Sequence, residues 1–145
     1  MEAFPESVLD LKNKLSVYCL SVHGENFVLS PGLCLKEFSS RCGQDQVIVS
    51  QIFLQMYAVL REKAGRIQIN RGYSSWLWHL EHVYKGTPKE DVPELSYHLF
   101  GMAADMVPLD IKMEEFAQLC KDIGFGGVKN YGGFVHADSG KKRTW

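Results

Sequence analysis

No stretch of this chain is long and apolar enough to span a bilayer. The most apolar run, Val47 to Leu60, is interrupted by Ser50, Gln51 and Gln55 and falls short of the roughly 20 residues required. Excess positive charge is missing as well: 16 Lys and Arg stand against 17 Asp and Glu, a formal net charge of -1. Without a basic footprint, a DNA or RNA partner is not expected. The four cysteines, Cys19, Cys34, Cys42 and Cys120, include no pair with the two-residue spacing of a zinc knuckle or thioredoxin-like motif. Their expected state is that of reduced, partly buried thiols with no central role in function. The opening Met1-Glu2-Ala3-Phe4-Pro5-Glu6 lacks the basic start and apolar stretch of a secretory signal. The expectation is a chain made in the cytoplasm, or one whose signal has been removed.

What is present suits one domain. A length of 145 residues falls within the common range, and a hydrophobic content of 46% supplies a core without disulfide support. No internal repeat or low-complexity tract interrupts it. Residues 7–22 carry apolar groups at helical spacing (Leu11, Leu15, Tyr18, Cys19, Val22), with Ser7 as a cap, and predict a helix broken at Gly24 and Asn26. Ser30-Pro31-Gly32 marks a turn, followed by a short segment ending at Cys42-Gly43. Asp45 reads as a cap for a helix over Val47–Lys63, with Ile48, Ile52, Met56, Val59 and Lys63 at spacings of three and four and Gly65 at its end.

Arg66–Asn70 alternates and predicts a strand, with a turn starting at Gly72. Ser75–Tyr84 predicts a short helix and Gly86–Pro93 a loop. Ala103–Val107 reads as a buried strand stopped by Pro108, and Ile111–Ile123 as a helix ending at Gly124. Val128 and Phe134–Ala137 supply two further strands around Gly132-Gly133. Helices mixed with sequential short strands indicate an α+β fold.

Histidine is scarce, at five residues, and two of them sit in dense settings. One is Ser96-Tyr97-His98-Leu99-Phe100-Gly101-Met102-Ala103-Ala104-Asp105; the other is Gly133-Phe134-Val135-His136-Ala137-Asp138-Ser139-Gly140. A hydrolytic zinc site takes three protein ligands, commonly imidazole and carboxylate, and keeps one position for water. His98 on a loop, Asp105 on the next strand and His136 on a neighbouring strand can supply them if the chain turns at Gly101, with Ala103 leaving room. The bland alternative is a half-buried, hydrogen-bonded histidine and a turn-capping aspartate. His79-Leu80-Glu81-His82 has i, i+3 spacing rather than the i, i+4 of a helical zinc pair and reads as solvated helix. Trp76 and Trp78 suit a core or a cleft wall, core more readily. His23 has no partner in the sequence.

The segment Ser96-x-His98-x-x-Gly101-x-Ala103-x-Asp105 resembles the signature of zinc D-Ala-D-Ala carboxypeptidases. Their superfamily includes vancomycin-resistance dipeptidases, phage L-alanyl-D-glutamate endopeptidases and the Hedgehog signalling domain. Glu37-Phe38-Ser39-Ser40-Arg41-Cys42-Gly43, Ile69-Asn70-Arg71-Gly72-Tyr73-Ser74-Ser75 and Gly133–Asp138, followed by Gly140, Arg143 and Trp145, are similar to further motifs of its compact branch. The resemblance runs from about residue 36 to 145, which implies a zinc D,D-peptidase-like domain over 36–145 and an extension packed on it over 1–35. It implies a Hedgehog/DD-peptidase-like fold, a small antiparallel sheet flanked by helices. It also implies Zn2+ on His98, Asp105 and His136, Ser96 as a contact to the substrate backbone, and Tyr73 lining the cleft. The implied substrate is the D-amino-acid-containing stem peptide of peptidoglycan.

Two positions depart from that pattern. Ser74 stands where the family has an oxyanion-stabilising arginine; Arg71, two residues before Tyr73, is the available substitute. Gly133 stands where many members carry the general base. Asp138 shares a strand face with His136 and suits either the base or a carboxylate that orients the histidine. Glu94 and Asp91 are further candidates for the base. The expected activity is a zinc metallopeptidase of the cell wall, released by a phage or prophage. The alternatives are a zinc-containing binding domain without turnover and a phage structural component.

Overall fold

Alternation at Arg66–Asn70 predicts a strand, and the computed structural model, which describes residues 14–75 and 96–143, forms one at Ile67–Arg71. In chain order the described elements are β1 (Leu15–Cys19), α1 (Leu20–His23), β2 (Val28–Ser30), β3 (Leu33–Cys34), α2 (Leu35–Phe38), β4 (Gln46–Ser50), α3 (Gln51–Ala64) and β5 (Ile67–Arg71). A 3-10 turn (Tyr97–Phe100), β6 (Ala103–Pro108), α4 (Met113–Ile123), β7 (Gly127–Asn130) and β8 (Val135–Asp138) follow. The predicted helix at 75–84, the loop at 86–93, and Trp76, Trp78, His79, Glu81, His82, Asp91, Glu94 and Trp145 lie outside the described residues.

The fold is mixed helix and strand with small antiparallel sheets. Four strands form the largest, in the order β5-β6-β8-β7 with antiparallel neighbours. One face presents Ile67, Ile69, Ala104, Met106, Val135 and Ala137, all buried, to the helices. Against it α3 sets Phe53, Tyr57, Leu60 and Ala64, and α4 sets Phe116, Ala117 and Cys120. Each stripe follows the three-and-four spacing of a helix that buries one side. The opposite sheet face carries Asp105 and His136, cross-strand partners in β6 and β8. Among the described residues, no helix is long and apolar enough to cross a membrane.

Two helix predictions need correction. Residues 15–19, predicted helical, form β1, which pairs antiparallel with β4 from Leu15 opposite Ser50 to Cys19 opposite Gln46. Within the described part of that segment only Leu20–His23 is helical, and Val22 is 76% exposed; Ser7 and Leu11 lie outside the described residues. Likewise Val47–Val49, placed in a helix by periodicity, belongs to β4: three consecutive β-branched residues favour a pleated strand. The helix starts after Ser50, whose Oγ accepts the Phe53 N–H at 3.1 Å and caps it. Asp45, expected as that cap, instead accepts the Ser21 N–H and hydroxyl, each at 2.8 Å. The buried stripe of α3 therefore differs from the expected one, and Val59 is 42% exposed. The end of α3 at Gly65, the end of α4 at Gly124 and both strands around Gly132-Gly133 match expectation, and the strand from Ala103 does too, except that it includes Pro108, which was expected to stop it.

Candidate metal centre

Ser96 begins the local structure that holds His98. Its Oγ accepts the His98 N–H at 3.2 Å, the capping geometry that starts the 3-10 turn. Gly101 ends the turn in the left-handed region, φ 65°. A Cβ there would also run into the Ile48 carbonyl and the Val49 Cα, so position 101 is closed to side chains on two counts. Through this close approach the Ser50 N–H reaches the Gly101 carbonyl at 2.9 Å, tying the turn to β4. The chain then enters β6 and delivers Asp105 beside His98.

The Asp105 Oδ1 atom is the meeting point. His98 Nε2 lies 3.3 Å from it and His136 Nδ1 lies 3.0 Å from it. The two imidazole centroids are 5.2 Å apart at an interplanar angle of 65°. One donor atom from each of the three residues lies within 4.8 Å of the others, so the group can hold a metal ion. Tetrahedral donors about 2.0–2.1 Å from a zinc ion stand roughly 3.4 Å apart, close to the contacts found here. His98 and Asp105 are buried, and His136 is half-buried.

Each imidazole is fixed from behind. His98 Nδ1 donates to the Gly72 carbonyl at 2.8 Å, which turns the lone pair of Nε2 toward Asp105. Nε2 of His136 donates to Asp138 Oδ2 at 2.7 Å, which turns Nδ1 toward Asp105. A histidine ligand whose second nitrogen donates to a carbonyl or carboxylate is the usual arrangement around a bound metal. Burial, reinforced by the Arg71 charge, lowers the His98 pKa despite Asp105, favouring the neutral ring that can ligate. For His136, burial opposes protonation, but the carboxylates of Asp105 and Asp138, one at each nitrogen, favour the protonated ring and outweigh it, and the pKa is raised. Asp105 is held well below the usual carboxylate range: the adjoining imidazoles of His136 and His98 and the Arg71 charge overcome its burial.

Arg71 reaches the site by way of an irregularity. Between Ile69 and Arg71 the register of β5 on β6 shifts, so that Arg71 rather than Asn70 stands opposite Asp105. Unbroken alternation would send Arg71 to the same face as Ile69, into the core. With the extra residue its Nη2 lies 3.2 Å from Asp105 Oδ2. Ser74 is buried and donates its N–H to the His98 carbonyl at 3.0 Å.

The remaining expected site residues surround this group or pack behind it. Tyr73, expected to line the cleft, is 5% exposed and packs in the main core. Ser96 caps the turn beneath His98. Asp138 is fully buried and accepts from His136, from the Gly140 N–H at 3.0 Å and from Arg143. Its carboxylate is therefore occupied on the side of His136 away from Asp105, the geometry of an orienting group. His23 makes a local contact at 3.1 Å to the Cys19 N–H and packs against Tyr18 and Phe27. Sequence reasoning assigned no role to the Gly72 carbonyl or to Arg143; the only signal for Arg143 was its place in the motif after His136.

A scan against protein-family models and a search of curated proteins both return no match to this chain.

Proposed function

We propose that this chain is a zinc metallopeptidase acting on D-amino-acid-containing stem peptides of peptidoglycan, with His98, Asp105 and His136 as the metal ligands. The observation that carries the proposal is the convergence of two imidazole nitrogens on one carboxylate oxygen, each ring braced through its other nitrogen. Two nitrogen donors and one oxygen donor suit zinc and leave a coordination position for water. Zinc held there would lower the pKa of bound water and polarise a scissile carbonyl. Gly72 and Asp138 keep the two histidines in the ligating tautomers. Arg71, beside Asp105 and about a quarter exposed along its side chain, is a cation placed to stabilise a developing oxyanion. Asp138 acts as the orienting carboxylate and not as the base, because three donors already occupy it. The substrate class comes from the resemblance of the Ser96–Asp105 and Gly133–Asp138 motifs.

A second reading, a zinc-bearing cell-wall-binding domain without turnover, draws on the same geometry. Both carboxylates in contact with the site's histidines are engaged, Asp105 as ligand and Asp138 as brace. Incubation of the zinc-loaded protein with purified muropeptides separates the two. Hydrolysis yields new masses that disappear on chelation. Stoichiometric zinc without any new mass rejects the peptidase and leaves the binding domain.

A further inference from the structure

Asp138 is braced by a residue the proposed chemistry does not use. Arg143 Nη2 donates to Asp138 Oδ2, the oxygen that also accepts from His136 Nε2. The other oxygen, Oδ1, accepts the Gly140 N–H at 3.0 Å. Held at both oxygens, the carboxylate plane cannot turn away from the imidazole. Arg143 is itself anchored: its N–H donates to the Gly126 carbonyl at 2.7 Å, and its Nη1 donates to the Lys141 carbonyl at 2.9 Å. Its guanidinium carbon lies 4.7 Å from the centroid of the Tyr97 ring, a cation–π contact with the residue preceding His98.

The backbone makes room for this arrangement. A Cβ on Gly127 would run into both Arg143 Nη2 and Asp138 Oδ2, and one on Gly140 would enter the Tyr97 ring. Gly127 is the β7 partner of Asp138, so the missing side chain opens the space that the guanidinium fills.

We infer that Arg143 is a positioning residue of the metal centre. Through Asp138 it fixes His136 with its proton on Nε2 and its lone pair on Nδ1, and through Tyr97 it links β8 to the turn that carries His98. The inference rests on the metal-centre reading above, but its test has a readout independent of metal.

The chain and its Arg143→Gln, Arg143→Met and Arg143→Lys variants are compared in two measurements. One is the His136 ring tautomer, read from long-range 1H–15N spectra of metal-free protein at alkaline pH, where the ring is neutral. The other is zinc affinity by chelator competition. Wild type shows the Nε2–H tautomer as the major form, because the contact to Asp138, 2.7 Å, is shorter than the 3.0 Å contact of Nδ1 to Asp105. Arg143→Gln populates the Nδ1–H form and loses roughly tenfold in zinc affinity, the lower end of the range for groups that orient a ligand. Arg143→Lys, which keeps a cation, restores most of both. Should Arg143→Gln not fold, Arg143→Met, which keeps the length of the side chain without its donors, takes its place and its tautomer ratio decides. An unchanged tautomer and unchanged zinc affinity in a folded variant overturn the inference. A wild type that takes no zinc defeats the proposed function instead, and the tautomer comparison still decides the role of Arg143.

Discussion

His98 and His136 contact the same carboxylate oxygen, yet their surroundings push them in opposite directions. His98 is enclosed, with its Nδ1 on a neutral carbonyl; His136 is half-buried, with a carboxylate at each nitrogen. The Asp138 brace separates two roles for that residue. In Asp138→Asn, an orienting role predicts a 10–100-fold loss of zinc affinity. A catalytic base would instead leave zinc affinity intact and abolish turnover. The cysteines give a second contrast. Burial pushes the Cys120 thiol up to about 12, whereas hydrogen bonds from Ser40 and Ser75 outweigh slight burial and lower that of exposed Cys42. A lowered pKa means more thiolate at neutral pH, so iodoacetamide labels Cys42 first and its rate levels off at a lower pH than for free cysteine. Labelling of Cys120 in the folded protein contradicts this. The grouping of His98, Asp105 and His136 was legible at this scale because histidine is scarce and the segments around these residues resemble zinc-peptidase motifs. The Gly72 carbonyl was not, since any backbone carbonyl could have filled that place and this one is 26 residues away.

Among the elements, the β5 irregularity decides whether Arg71 belongs to the site or to the core. Alternation read from sequence has no means to foresee an extra residue, because a bulge is set by pairing with β6. The misread stretches share one cause: apolar spacing over 7–22 and 47–63 fits a helix, but the pairing of β1 with β4 draws residues 15–19 and 47–50 into strands. Ser50 marks the junction, and Ser50→Ala is expected to cost about 1 kcal/mol in denaturant unfolding by exposing the α3 N-terminus to loss of its cap. An effect below about 0.3 kcal/mol would dismiss the cap. Gly101→Ala adds left-handed strain, about 1–2 kcal/mol, to a backbone collision with β4. It is expected to destabilise more than Ser50→Ala and to weaken zinc binding, since His98 rides on the same turn.

Across the molecule the four-stranded sheet divides the work, one face packed on α3 and α4 and the other gathering Asp105 and His136, with His98 brought in by the 3-10 turn. The α+β class was legible from the order of short strands and helices; the sheet order β5-β6-β8-β7 was not, because strand partners depend on long-range packing. Binding that favours the folded state stabilises it by mass action, about 2.7 kcal/mol at a zinc concentration 100 times the dissociation constant. The melting temperature should rise by roughly 5–10 °C with zinc and fall back on chelation. Most directly, metal content is measured by elemental analysis on purified wild type beside His98→Ala and His136→Ala. One zinc per folded wild-type chain, lost or bound at least 100-fold more weakly in both variants, is the predicted result. Equal zinc in all three proteins, or none in the wild type when zinc is supplied, would contradict the account.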